Sequence, residues 1–204
     1  MVMLVVEPRL EETLKAERRA SGADRWDEVW DGVYFMSPLP NIEHQLFVGM
    51  LTATFQNVLD AGKRGTAYPG INVSDREDDW AQNYRCPDVA VFLTGSPARN
   101  LDTHWCGGPD FAVEIVSLDD RSREKLEFYA RVGVRELLIV DRDPWALEMY
   151  RLEAGELRMS GKSTVDSAVQ LQSEVLPLNF RLVRGDARPQ IEISHHDGRQ
   201  QWRI

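Results

Sequence analysis

Cysteine is scarce in this sequence: Cys86 and Cys106 are the only two, with too few companion ligands to make a recognisable zinc motif. They read as packed thiols. No apolar segment approaches the length of a membrane span, so no membrane partner is expected. The opening run MVMLVVEP lacks a basic leader, a full-length apolar core and a small-residue cleavage site, which argues against a signal peptide and for a cytoplasmic protein. Positive charge is also short: 24 Lys and Arg stand against 33 Asp and Glu, a formal net charge of −9. Such a surface does not hold nucleic acid indiscriminately through its phosphates, and any nucleic-acid site has to be a local basic patch.

What remains is an ordinary globular composition, 43% hydrophobic and 28% charged over 204 residues, enough for one domain with a substantial core. The segment PRLEETLKAERRAS reads as a charged surface helix ending near Gly22. In RWDEVWDGVYFMSP, aromatic and β-branched residues flank Asp31-Gly32, a pair suited to a tight hairpin turn. Glu28 is the one acidic group of that hairpin's strand with a claim to point inward, although a solvated carboxylate is an equal reading. Asn41 is placed to cap a helix over Ile42 to Leu59, whose apolar positions Leu46, Phe47, Met50, Leu51, Ala53, Phe55 and Val58 predict deep burial. His44 falls in its first turn, where a capping or surface role is the simpler reading than a ligand.

Strands are expected over Thr66 to Val73 and Tyr84 to Leu93, separated by the acidic loop SDREDDWAQN. The run FAVEIV carries a lone carboxylate, Glu114, in an otherwise buried strand, an expensive placement unless the charge is paired or bound to a metal. Asp119 and Asp120 are candidate caps for the next helix, which stops at Gly133. On it Lys125, Phe128, Tyr129 and Val132 share one face, with a snorkelling lysine as the plain alternative. RELLIVD predicts a central strand, ALEMYRL and LRMS a hairpin around Gly155, and Val165 to Leu171 another strand. The adjacent His195 and His196 point to opposite faces of any strand and define no metal site.

If the runs bearing Asp88 and Glu114 are neighbours, two carboxylates meet. At ~4 Å and an effective dielectric of about 20 they repel by about 4 kcal/mol. A hard divalent cation turns that repulsion into binding, and Mg²⁺ typically keeps waters and a substrate phosphate. Asp88, Glu114 and Lys125 are thus the minimum parts for metal-assisted phosphodiester hydrolysis. Composition alone does not choose that reaction over simple metal binding.

The hairpin DEVWDGVYFMSP, the helix start IEHQ, the strands CPDVAVF and FAVEIVS, and the run EKLEFYARVGVRELLIVD together resemble the Uma2 family (DUF820) of the PD-(D/E)XK restriction-endonuclease-like superfamily. The resemblance implies an α+β (α/β) fold, a restriction-endonuclease-like mixed β-sheet flanked by helices with extra β-hairpins. It divides the chain into an N-terminal helical extension (1–25), the Uma2-type domain (26–185) and a C-terminal polar tail (186–204). It places metal ligands at Asp88 and Glu114, for Mg²⁺ or Mn²⁺, and a further acidic residue at Glu28. The superfamily's lysine normally follows the glutamate by two residues, where this chain has Val116, and Lys125 resembles the migrated lysine of the Uma2 family. The implied function is a Mg-dependent endonuclease acting on nucleic acid, DNA by expectation, with catalytic residues Asp88, Glu114, Lys125 and Glu28. The alternative is a non-catalytic binding or assembly module that retains the fold, and a homodimer suits a chain with no separate DNA-reading domain.

Overall fold

A computed structural model describes residues 8–117 and 121–204; the expected caps Asp119 and Asp120 lie outside the described residues. The first helix, α1 (Pro8–Ser21), ends where Gly22 takes a φ of +70°. Asp31 and Gly32 both have positive φ, +47° and +85°, and join β1 (Glu28–Trp30) to β2 (Val33–Phe35) as the expected hairpin. Arg18 fastens the helix to it, pairing with the buried Asp27 and donating to the Ser37 carbonyl at 2.7 Å.

Asn41 caps α2 (Ile42–Asp60), its side chain accepting from the His44 amide at 2.8 Å. Phe47, Val48, Leu51, Phe55, Val58 and Leu59 form the buried stripe. Leu46, Met50 and Ala53, expected inside, are exposed instead, Leu46 at 48% and Met50 at 37%. The apolar residues wrap more of the helix than one sheet face can cover, so the flank of the stripe faces outward.

Two expected strands are each divided. Gly70, at φ +49°, separates β3 (Gly65–Pro69) from β4 (Val73–Ser74). Residues 86–88, with Pro87 at their centre, likewise separate β5 (Tyr84–Arg85) from β6 (Val89–Leu93). After these come β7 (Arg99–Asn100), β8 (Trp105–Cys106), β9 (Phe111–Ile115), a 3-10 turn at Ser122–Lys125, α3 (Leu126–Arg131), β10 (Glu136–Arg142), β11 (Trp145–Glu153) and β12 (Glu156–Thr164). The second halves of the divided strands and the first halves part company: β4 and β5 join a sheet ordered β2-β1-β5-β4-β8-β7, whereas β3 and β6 join the main sheet β12-β11-β10-β9-β6-β3.

In the main sheet β9 and β10 pair in parallel, and every other neighbouring pair is antiparallel. The parallel pair requires a crossover, which α3 supplies. One face of the sheet packs α2 through Phe47, Phe55, Phe111 and Val113; the other packs α3 through Phe128, Tyr129, Leu137 and Ile139. Coverage on both sides buries every residue of β9, Glu114 included.

Val165 to Leu171 forms a strand only at its end, β13 (Leu171–Gln172), since residues 165–167 turn. With β14 (Leu178–Val183), β15 (Gln190–His195) and β16 (Gln201–Arg203) it makes a four-stranded antiparallel sheet over the α2 side of the core. The segment read as a polar tail therefore supplies two strands. Its polar and apolar residues alternate, so Ile191 and Ile193 are fully buried while overall composition stays hydrophilic.

Candidate active site

Val89 on β6 faces Val113 on β9, and one further step of that antiparallel register sets Asp88 across from Glu114. The break at Pro87 frees Asp88 from strand pairing, and its Oδ2 accepts a hydrogen bond from the Ile115 amide at 2.7 Å. His44 Nε2 lies 3.2 Å from the same oxygen. Both contacts to the Asp88 carboxylate, the hydrogen bond and the ion-pair contact, thus fall on Oδ2, which leaves Oδ1 as the candidate oxygen donor of a residue that lines the cleft, among the described residues.

Glu114 is 3% exposed, and the turn before α3 brings Lys125 Nζ to 3.0 Å from each of its carboxylate oxygens. Tyr129, one helical turn after Lys125, donates its hydroxyl to Glu114 Oε1. Lys125 Nζ is also 2.9 Å from Glu28 Oε1. Glu28 is held in turn by the Cys86 amide at 2.8 Å and the Trp30 indole N–H at 2.7 Å. Asp88, Glu114, Lys125 and Glu28 therefore line a single cleft of about 310 Å³.

The Lys125 ammonium is shared by two carboxylates, Glu28 and Glu114, with Asp88 close to the second. Burial pushes the Glu114 carboxyl up to about 8; Lys125 opposes the shift, and the nearby Asp88 and Glu28 add to it. Burial likewise raises the Tyr129 phenol, aided by the charge of Glu114, so Tyr129 stays a neutral donor. The Cys86 thiol is raised for the same first reason, loss of solvent, and remains protonated.

Among the described residues, no group of three or more His, Cys, Asp or Glu could hold a metal ion by itself. The donor set nevertheless fits a hard cation that keeps its waters: Mg²⁺ is commonly held by one or two carboxylates plus water and substrate phosphate. Asp88 Oδ1 and a deprotonated Glu114 are such a pair.

Three participants exceed the sequence reading, which weighs a ligand or hydrogen-bonding role for His44 but prefers a cap or surface residue, and gives Tyr129 and Arg121 no role in the site. His44 is buried against Asp88 instead of standing on the surface, Tyr129 looked like one more apolar-stripe residue, and Arg121 also lines the cleft. For Tyr129, its spacing of four from Lys125 was the available signal.

A two-sided mixed sheet with an acidic cleft at the ends of neighbouring strands places the protein in the restriction-endonuclease-like class. The Uma2 family model, described as "Putative restriction endonuclease", matches residues 10–184, and the chain belongs to that family, within the PD-(D/E)XK superfamily. A similar solved structure is that of "a putative nuclease belonging to DUF820 from Anabaena variabilis ATCC 29413". It is 17% identical, with a TM-score of 0.55 over 70% of this chain and 79% of the other, a likeness of fold. No curated protein sequence matches the chain.

Proposed function

We propose that the protein is a Mg²⁺- or Mn²⁺-dependent nuclease that hydrolyses phosphodiesters in nucleic acid, with Asp88 and Glu114 holding the cation. The observation that carries this reading is the placement of Lys125 Nζ at 3.0 Å from Glu114 and 2.9 Å from Glu28, in the cleft that Asp88 lines. Bound there, the cation would polarise a phosphoryl oxygen and lower the pKa of a coordinated water. Lys125 orients the attacking water and balances the negative charge gathering on phosphorus. Glu28 keeps the ammonium in the cleft, and Tyr129 fixes the Glu114 carboxylate from the side opposite solvent, within the α3 core.

The test separates binding from chemistry. Calorimetry should detect cation binding in the wild type and in Lys125→Ala, while Lys125→Ala lowers cleavage by about a hundredfold. A wild type that binds neither Mg²⁺ nor Mn²⁺ would overturn the reading. A second reading, a binding module without turnover, draws on the same ion pairs: Lys125 already neutralises Glu28 and Glu114 within a chain of net charge −9. It predicts that Lys125→Ala leaves partner binding intact and that no substrate is cut.

A further inference from the structure

The wall of the cleft opposite in chemistry to its carboxylates is aromatic. Trp30 and Phe35 lie with ring centroids 4.4 Å apart, and Arg121 covers both, its guanidinium carbon 5.0 Å from the Trp30 centroid and 4.7 Å from that of Phe35. Trp30 in turn contacts the buried Arg85 at 4.4 Å, and Arg85 contacts Phe128 at 4.2 Å. Contacts between guanidinium and ring thus run from the core to Arg121, which is 34% exposed and lines the cleft. A guanidinium plane supported on aromatics is a surface on which an unpaired base stacks.

The cations of the same cleft are poorly suited to a duplex. Lys125 is engaged by Glu28 and Glu114, Arg142 by the Val116 carbonyl at 3.1 Å and Glu43 at 3.1 Å, and Arg121 by Glu124. A duplex shows a protein its phosphates and is held by neutralising several of them, which a chain of net charge −9 with committed cations does poorly. A strand with unstacked bases gains instead from burying them, and stacking works largely without charge. The cleft, about 310 Å³, is also of the size that takes one small ligand.

We propose that the cleft admits an unpaired nucleotide, its base on the Arg121–Trp30–Phe35 platform and its phosphodiester toward Asp88 and Glu114, so that the substrate is single-stranded nucleic acid or an unpaired end. This assignment rests on the nuclease reading and narrows it. The test is fluorescence anisotropy with labelled single-stranded DNA, single-stranded RNA and blunt duplex of the same sequence, at one ionic strength with Ca²⁺ as the hard cation. At least one single strand should bind about tenfold tighter than duplex. Arg121→Ala and Arg121→Lys should both lose about tenfold in that affinity, because lysine keeps the charge and loses the plane.

Duplex binding as tight as the strand, or wild-type affinity in Arg121→Lys, would overturn the platform. A free mononucleotide that binds as tightly as the strand would overturn the polymeric substrate. Mn²⁺ titration of the same proteins keeps the two readings apart. Cation binding with cutting of duplex alone removes this inference and leaves the nuclease; strand preference without any cation binding removes the nuclease reading and leaves the platform.

Discussion

Glu114 and Glu148 sit in one cross-strand row, each paired with Ile139, from β9 on one side and β11 on the other. Both are buried, at 3% and 4% exposure, and both receive a cation from the same short turn, Lys125 for one and Arg123 for the other. Their acidities nevertheless move in opposite directions. Burial raises each, but at Glu148 the bonds from Arg123 and Lys162, each at 3.0 Å, outweigh it and hold the carboxyl below the usual range. At Glu114 burial prevails, opposed by a lysine shared with Glu28 and reinforced by Asp88. Surface exposure alone therefore does not separate the two carboxylates: Glu114 is the more deeply enclosed and loses more solvent. The neighbouring charges differ as well: among the described residues Glu148 has two cations in direct contact, Arg123 and Lys162, whereas Glu114 has Lys125, which it shares with Glu28, and Asp88 close by.

The sharpest way to break this comparison is to neutralise each glutamate. Glu114→Gln removes the proposed cation ligand and should lower cleavage by about a thousandfold, the scale of a metal's several kcal/mol at the transition state, with cation binding lost in calorimetry. Glu148→Gln should leave cation binding intact and cost about 1–2 kcal/mol in denaturant unfolding. That cost is modest because the stranded Arg123 and Lys162 are 44% and 48% exposed and reach water. Equal loss of cation binding in the two variants would erase the distinction.

The second effect follows from the direction of the Glu114 shift. A cation competes with the proton that burial favours, so apparent Mn²⁺ affinity should climb by up to about tenfold per pH unit from 6 and level off above about 8. Without cation the sign reverses. A carboxyl raised on folding contributes stability that is full below its unfolded pKa, about 4.3, and lost as pH rises through about 8. In melts with chelator, wild type minus Glu114→Gln should become less favourable over that window, and added Mn²⁺ should reverse the trend. A difference independent of pH would mean that Glu114 is already ionised in the metal-free protein.

How much of this was legible in the sequence depended on whether a residue contradicted its surroundings. Glu114 in FAVEIV and Lys125 on an apolar helical stripe are charges in apolar company, and both lie in the cleft. Glu28 was an even choice from its strand alone and became part of the cluster only through Lys125, which is 97 positions away in sequence. His44 and Tyr129 broke no local pattern. A histidine in a first helical turn and a tyrosine on an apolar stripe are ordinary, and only the meeting of α2 with Asp88 and of α3 with β9 gives them partners. The fold shows the same division. The Asp31-Gly32 hairpin and the central β10 are local patterns, whereas the separation of β5 from β6 into different sheets and the exposure of Leu46 and Met50 depend on what tertiary packing leaves uncovered.

The smallest expected effect concerns His44, which stands behind Asp88 much as Tyr129 stands behind Glu114. Its Nε2 is 3.2 Å from Asp88 Oδ2, while Nδ1 is buried with no hydrogen-bond partner among the described residues. A buried Nδ1 with no partner favours the tautomer whose N–H is on Nε2, the nitrogen that faces Asp88. That contact, with the hydrogen bond from the Ile115 amide, holds Oδ2 of a carboxylate that lines the cleft. Ligand-orienting partners of this kind are worth about 10–100-fold in metal affinity, and His44→Ala should fall at the low end because the Ile115 amide remains. The side-chain amide of glutamine reaches about as far as Nε2 and that of asparagine only about as far as Nδ1. His44→Gln should therefore recover most of the Mn²⁺ affinity, and His44→Asn should resemble alanine. Equal affinities in all three variants would reduce His44 to a packing residue and leave the Ile115 amide as the group that orients Asp88.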